Sequence, residues 1–129
     1  MKRVVLIGHC GFDSVGLKNA VLRVWPDAQV IGVRYDAELK TAIEQGADLL
    51  LINRTLSGFS AADGIGLIRQ VKQTYPQTRC MLISNYDDAQ QAAVAAGAVR
   101  GFGKNDLGSR TVDDLLRSAM AIESPVNRT

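Results

Sequence analysis

Five short apolar runs recur along the chain, separated by longer segments of a different pattern. The first four runs are rich in Val, Ile and Leu and lack strict alternation, which is typical of strands buried on both faces of a parallel sheet. The fifth run is weaker because it contains Gly101. We predict strands at residues 4–7, 29–33, 49–52, 80–83 and 99–102.

The segments between these runs have the spacing and the end signals of amphipathic helices. Asp63 and Thr111 can cap the third and fifth helices, and Gly46 and Gly97 follow the second and fourth, where a C-terminal glycine is favoured. We therefore predict helices from Asp13 or Ser14, as the N-cap, to about Trp25, and over residues 37–45, 65–75, 87–96 and 112–122.

Strand and helix alternate five times in this pattern, which implies parallel crossover units. The expected fold class is therefore α/β, a flavodoxin-like (βα)5 domain with a doubly wound five-stranded parallel sheet. A chain of 129 residues with 47% apolar and 22% charged residues suits a single ordinary domain and leaves no room for a separate output domain. We expect the domain at residues 1–123 and a flexible polar tail at residues 124–129.

Charge and apolar patterning narrow the classes of partner. The net charge of +2 is small and scattered along the chain, so we expect no nucleic-acid partner. No apolar run approaches the roughly 20 residues that cross a bilayer, so we expect a cytoplasmic protein without a membrane partner. Cys10 and Cys80 fall at opposite ends of predicted parallel strands, so we expect two reduced thiols.

The residues after the first strand do not complete the motifs for nucleotide binding or for a thiol nucleophile. Lys18 is separated from Gly16 by Leu17, so the P-loop pattern for phosphate binding is incomplete. The glycine fingerprint of dinucleotide-binding folds is also missing. His9 and Cys10 are adjacent at a strand end and point in different directions, so His9 is poorly placed to activate the thiol.

Ligands of doubly wound folds bind outside the carboxyl ends of the strands, and the polar residues there carry a resemblance. Asn53 and then Ser57-Gly58 follow the third predicted strand, Ser84 follows the fourth, and Lys104 follows the fifth. In this order and spacing, together with Ala95-Ala96-Gly97-Ala98, the sequence resembles a response-regulator receiver domain over residues 3–122.

The chain departs from the receiver pattern at the positions that carry its chemistry. The resemblance implies an acidic pair for Mg²⁺ after the first strand, where this chain has Gly8 and His9, and a phosphoacceptor Asp where it has Asn53. Ser84 and Lys104 match the family. Because a carboxamide cannot form an acyl phosphate and Mg²⁺ prefers carboxylate oxygens, we predict a degenerate site with no catalytic residue, metal or cofactor.

The charge of the degenerate site admits two interpretations. Lys104, His9, Ser84 and Asn53 can form a pocket for an anion, or Lys104 can simply hydrogen-bond Asn53 and backbone carbonyls as a relic. A loop at residues 59–63, longer than the family pattern, would support ligand binding if it covered the site. We expect Asp13 to serve as a helix N-cap rather than to supply a carboxylate here.

The resemblance also implies a switch and a surface. In receivers, a Ser or Thr after the fourth strand and an aromatic residue on the fifth move together on phosphorylation. An ungapped count places Gly101 at the aromatic position, and a shift of one residue places Phe102 there. Asn85 stands where a small residue usually gives the phosphoryl group access. Arg54, Thr55 and Tyr86 are expected to be solvated loop surface.

The alanines of the fourth helix suggest a surface for partners. Small side chains at Ala92, Ala93 and Ala96 would make a flat face. In receivers the fourth helix, fifth strand and fifth helix commonly bind partners or a second copy. We therefore predict a non-enzymatic, stand-alone pseudo-receiver of bacterial two-component signalling and phosphorelay, which binds a kinase or output protein independently of phosphorylation. The alternative is a sensor of a small anion or nucleotide at the strand ends.

Overall fold

The computed structural model describes residues 2–121. The strands are β1 (Arg3–Ile7), β2 (Gln29–Val33), β3 (Leu49–Asn53), β4 (Arg79–Ile83) and β5 (Val99–Phe102). The helices are α1 (Gly11–Val24), α2 (Asp36–Glu44), α3 (Gly64–Thr74), α4 (Asp87–Ala95) and α5 (Arg110–Ala121). The predicted fold class is confirmed; the predicted tail and the domain boundary at residue 123 lie outside the described residues.

All five strands pair in parallel in the order β2-β1-β3-β4-β5. Ile7 pairs with Ile52, and Asn53 pairs with Ile83, so β1, β3 and β4 end side by side. One apolar core lies between the sheet and α2, α3 and α4, and a second lies between the sheet and α1 and α5. This register brings the residues that follow β1, β3 and β4 to one edge of the sheet.

The edge strand β2 is more exposed than the sequence pattern predicted. Gln29, Ile31 and Gly32 are exposed, and of the five residues only Val33 is fully buried. The prediction of burial on both faces is therefore wrong for β2. It fails because β2 has a strand neighbour on one side only and lies beyond the full cover of the helices.

Two helices are capped by other residues than predicted. The N-cap of α1 is Cys10, whose Sγ accepts a hydrogen bond from the Asp13 amide at 3.4 Å, rather than Asp13 or Ser14. At α5, Ser109 Oγ accepts from the Val112 amide at 3.4 Å, in the place predicted for Thr111. Asp63 caps α3 as predicted, with Oδ1 accepting from the Gly66 amide at 2.8 Å.

The two thiols lie in different surroundings. Both cysteines are free, with Cys10 exposed and Cys80 buried. Burial raises the pKa of the Cys80 thiol to about 12, so this group stays protonated and inert. Among the described residues, no helix combines the length and apolar character needed to cross a membrane.

Candidate functional site at the carboxyl edge of the sheet

Asn53 joins the ends of two strands. Its Nδ2 donates hydrogen bonds to the carbonyls of Gly8, at 3.1 Å, and Thr55, at 2.9 Å. Its Oδ1 accepts from Lys104 Nζ at 3.4 Å. A carboxylate at this position could not donate either of the first two bonds. The carboxamide therefore has a structural role that a carboxylate could not fill.

Asp13 supplies the site with a carboxylate, which corrects the expectation that it caps α1. Its Oδ2 accepts from Lys104 Nζ at 2.7 Å and from the Cys10 thiol at 3.3 Å. The hydrogen bond from Lys104 is the main cause that lowers the pKa of Asp13 below its ordinary value, and the hydrogen bond from Cys10 is the second. Because α1 begins at Gly11, Asp13 lies in the first helical turn and its side chain reaches the site.

The charge of Lys104 is thus balanced. Asp13 places one carboxylate against the ammonium group, contrary to the expectation that it would not supply a carboxylate here. Lys104 also contacts Asn53, as the relic interpretation required. The ion pair lowers the attraction of the pocket for a small anion. The geometry therefore favours the relic interpretation, in which Lys104 only bonds neighbouring groups of the protein.

His9 turns into the protein rather than toward Lys104. Its Nε2–H donates to the carbonyl of Leu51 at 2.9 Å, so the neutral ring leaves Nδ1 as an acceptor. Nδ1 is buried and has no hydrogen-bond partner among the described residues. Burial is the main cause that lowers the pKa of His9, with the charge of Lys104 acting in the same direction. The folded protein therefore favours the neutral imidazole.

The free energy of unfolding should fall as the pH drops from about 7.5 to about 5, because His9 is the only histidine and has a lowered pKa. The unfolded chain binds the proton near the ordinary pKa of 6.5, while the folded state resists it. The slope is at most about 1.4 kcal/mol per pH unit, the value for one proton. Chemical denaturation across this range measures it.

His9→Gln is the matched control for this pH dependence. The glutamine amide can still donate to the Leu51 carbonyl, but it does not titrate. The variant should show a flat profile over the same range. An equally steep profile in both proteins would assign the dependence to another group and contradict the assignment to His9.

The positions of the switch implied by the resemblance are all buried in this structure. Ser84 is buried, and its Oγ accepts from the Tyr86 amide at 3.2 Å. Phe102 pairs with Ile83 and is 3% exposed, packed in the core beneath α1 and α5. Gly101 lies at an irregularity between the β4–β5 pairs, where a Cβ would collide with the Leu82 carbonyl. Gly101 has no side chain, and the aromatic ring of Phe102 is buried.

Gln90 lies where β4 and β5 pair irregularly, a place that we call the β4–β5 seam. The sequence analysis did not identify it. Its Nε2 donates to the carbonyls of Leu82, at 2.9 Å, and Ser84, at 3.1 Å, while its Oε1 accepts from the Gly101 amide at 2.9 Å. The side chain is 3% exposed. A polar residue one turn before the inward-facing Ala93 is the signal that could have identified it. Gln90 thus satisfies backbone groups that the irregular β4–β5 pairing leaves open.

The predicted alanine surface on α4 requires correction. Ala93 is fully buried in the core, and Ala92 and Ala96 are half-buried. Ala93 belongs to the core and Ala96 packs against it, and their small side chains let α4 approach the sheet closely. The outward residues of α4 include Asp88, Gln91, Val94 and Ala95.

Two clefts open at the carboxyl edge of the sheet. One of about 460 Å³ is lined by residues 8–10, 34–35, 53 and 55–58. The other, of about 210 Å³, is lined by residues 53–55, 83–86 and 104. They share Asn53 and Thr55, and we call the pair the edge groove. Gly8, His9, Asn53, Ser84 and Lys104 all line it, so the structure brings the five predicted site residues together.

The loop at residues 59–63 does not cover this groove. Ala61 is buried and Phe59 packs against the core beneath α2, α3 and α4. The Ser60 amide donates to Asp36 Oδ2 at 2.9 Å. No residue of this loop lines either cleft. The feature expected to support ligand binding therefore lies against α2 instead.

The fold implies Mg²⁺, but the residues present do not fit it. Within residues 2–121, no three His, Cys, Asp or Glu side chains are grouped so that they could hold a metal ion. The single carboxylate at the site, from Asp13, already binds the Lys104 ammonium. An ammonium in that position competes with a cation for the same oxygen.

Comparison with known proteins gives one curated relative. No family model matches the chain. The shikimate dehydrogenase (NADP(+)) of Citrifermentans bemidjiense is 30% identical over 115 residues, which cover 83% of this chain and 35% of that protein. The chain thus spans about a third of the length of the curated relative that it matches.

Solved structures share the whole architecture. A response regulator from Thermotoga maritima has a TM-score of 0.76 and 20% identity, covering 95% of this chain and 99% of that one. The receiver domain of the stress response regulator RcsB from Escherichia coli has a TM-score of 0.74 and 15% identity, covering 95% of each chain. The chain therefore has the fold of the response-regulator receiver domains.

Proposed function

We propose that this domain is a pseudo-receiver that acts in two-component-type signalling by phosphorylation-independent binding to a kinase or an output protein. In this proposal it is cytoplasmic and has no catalytic activity or cofactor. The observation that carries the proposal is the bonding of Asn53, whose two amide hydrogens are used by the carbonyls of Gly8 and Thr55. Asn53, at the position of the phosphoacceptor Asp in receivers, thus connects the residues that follow β1 and β3 by hydrogen bonds.

The surroundings of Asn53 also support a site without phosphoryl transfer. Asp13 is engaged by Lys104 and leaves no free carboxylate for a metal. Asn85 takes the space next to Gly103, and its Oδ1 accepts from the Asn105 amide at 3.1 Å. A receiver that cannot be phosphorylated at this site would act from a single conformation, because phosphorylation does not shift its population.

The proposed partner surface comprises the outer face of α4 together with β5 and α5. Val94 is 45% exposed on α4, and the ion pair of Arg100 on β5 with Asp87 on α4 is also exposed. An apolar side chain with a polar rim suits a modest protein interface. Self-association through the same face is part of the proposal.

A dinucleotide-dependent activity, suggested by the name of the curated relative, has less support. The glycines after β1 are Gly8, Gly11 and Gly16, which do not make the G-x-G-x-x-G fingerprint. A Cβ at Gly11 would meet no atom within 4 Å, so no close backbone approach depends on that glycine. The similarity alone favours this candidate, and NADP⁺ titration monitored by amide chemical shifts would test it.

The proposal predicts that the natural protein gains no phosphoryl group from acetyl phosphate and Mg²⁺, as measured by intact mass. An Asn53→Asp and His9→Asp double variant returns two carboxylates and should gain a labile increment. Gly8→Asp is avoided, because Gly8 has a φ of 78° and a Cβ there would collide with the Leu56 side chain.

Asn19→Asp, an exposed change on α1, is the control for added negative charge. It should stay unmodified like the natural protein. A labile phosphoryl increment on the natural protein would show that another nucleophile accepts phosphate and would overturn the proposal.

A further inference from the structure

The edge groove has a one-sided charge. Arg34, Arg54 and Lys104 line it, and no carboxylate is among its lining residues. Asp13 compensates Lys104, but within the described residues neither arginine forms an ion pair. The Arg54 guanidinium lies 5.0 Å from the centroid of the Tyr86 ring. Two guanidinium groups without carboxylate partners thus remain on the groove.

Exposed aromatic side chains accompany these cations. Tyr35 is 58% exposed beside Arg34, and Tyr86 is 60% exposed beneath Arg54. Phe12, at 89%, is exposed on the first turn of α1, two residues from the groove-lining Cys10. Within residues 2–121 these are the three exposed aromatic side chains, and each follows the carboxyl end of a strand. Tyrosine and arginine are the residues enriched where protein interfaces gain most of their binding energy.

The spacing of the two tyrosine–arginine pairs suits an extended chain. Arg34 follows β2 and Arg54 lies against Tyr86, which follows β4. The strand order places β2 and β4 three strand spacings apart, about 14 Å. About four residues of extended polypeptide cover that distance. That span between the ends of β2 and β4 exceeds the width of a small anion such as phosphate.

We propose that the edge groove docks an extended acidic segment of a partner protein, whose carboxylates bind Arg34 and Arg54 and whose apolar side chains pack on Tyr35 and Tyr86. The proposal rests on the function proposed above, since it gives the degenerate site a direct role in partner binding. A peptide is favoured over nucleic acid because nucleic-acid affinity comes from neutralising many phosphates, whereas this groove offers two unpaired cations.

The test is fluorescence anisotropy with a fluorescein-labelled peptide of about eight residues, made of glutamates with two leucines. Arg34→Glu and Arg54→Glu should each weaken binding about tenfold, because each replaces an attractive charge pair with a repulsive one. Tyr86→Ala should also weaken it. Arg69→Glu, an equal charge change at an exposed position of α3, is the matched control and should leave affinity unchanged.

Three outcomes would overturn the inference: no binding of the glutamate peptide at millimolar concentration, equal losses in Arg54→Glu and Arg69→Glu, or tighter binding of an oligothymidine than of the peptide. The last would identify a nucleic-acid surface. Intact mass after acetyl phosphate treatment is measured on the same protein. If the natural protein gains a phosphoryl group and still binds the peptide, the proposed function alone is refuted. If it gains no phosphoryl group and does not bind the peptide, the docking role of the edge groove alone is refuted.

Discussion

Replacing Gln90 with leucine is expected to lower the free energy of unfolding by about 3 kcal/mol. Leucine fills a similar volume but leaves the Gly101 amide and the carbonyls of Leu82 and Ser84 without their side-chain partner. Buried backbone groups that lose their partners cost about 1–3 kcal/mol each, and partial rearrangement recovers some of that cost. Urea denaturation of natural and variant protein measures the difference.

Gln91→Leu is the matched control, one position further along α4. Its Nε2 donates only to Asp87 Oδ2, at 2.7 Å, on the exposed face of the helix. This substitution should change stability by less than about 0.5 kcal/mol. Equal effects of the two substitutions would mean that the Gln90 bonds contribute nothing beyond a surface amide.

Gly101→Ala is expected to destabilise the domain by about 3 kcal/mol, at the upper end of the cost of overpacking a core. The new Cβ would overlap the Leu82 carbonyl and lie 2.8 Å from Met81 Cγ. The first of these is backbone of β4, which is paired on both sides, so it cannot move aside as the end of a side chain can. Thermal and urea denaturation, with hydrogen exchange of the β4 and β5 amides, would locate the damage.

Gly11→Ala provides the control, since a Cβ there meets nothing within 4 Å. At the first residue of α1 it should be neutral or slightly stabilising, because alanine is the better helix former. A Gly101→Ala protein as stable as Gly11→Ala would show that β5 can shift away from β4. That result would contradict the expectation that the backbone of β4 cannot yield at Leu82.

Both predictions concern the place where receivers are expected to switch. Gln90 and Gly101 bind β4 and β5 through a specific set of hydrogen bonds, and Phe102 is enclosed in the opposite core. Phe102, the aromatic residue nearest this place, is buried rather than exposed. Hydrogen bonds that tie β4 to β5 in this way agree with the proposal of a domain that binds partners from one conformation.

Sequence pattern located the elements well and their ends less well. All five strands were predicted within one residue at each end, because buried apolar runs between turn signals identify strands of a parallel sheet. The starts of α1 and α5 were misplaced, since Cys10 and Ser109 cap them ahead of the more usual candidates. Several residues in a row can cap a helix, and the choice depends on what else each side chain contacts.

The candidate site was predicted in its location but only partly in its chemistry. The polar residues after β1, β3, β4 and β5 had to meet, because parallel strands end at one edge. Asp13 was assigned to a cap because its contact with Lys104 spans 91 positions. Gln90 went unnoticed because its bonds depend on an irregular strand pairing, and Ala93 was placed outside because alanine is common on both faces of a helix.

The sequence by itself determined the fold class, the strand positions and the absence of a carboxyl group at residue 53, since these follow from local pattern and side-chain identity. Only the tertiary structure decided that Asn53 bonds two backbone carbonyls, that Asp13 neutralises Lys104 and that Gln90 closes the β4–β5 seam. The physical reason is the same in each case. These roles are hydrogen bonds and ion pairs of a few ångströms between groups distant in the chain, and apolar periodicity carries no information about them.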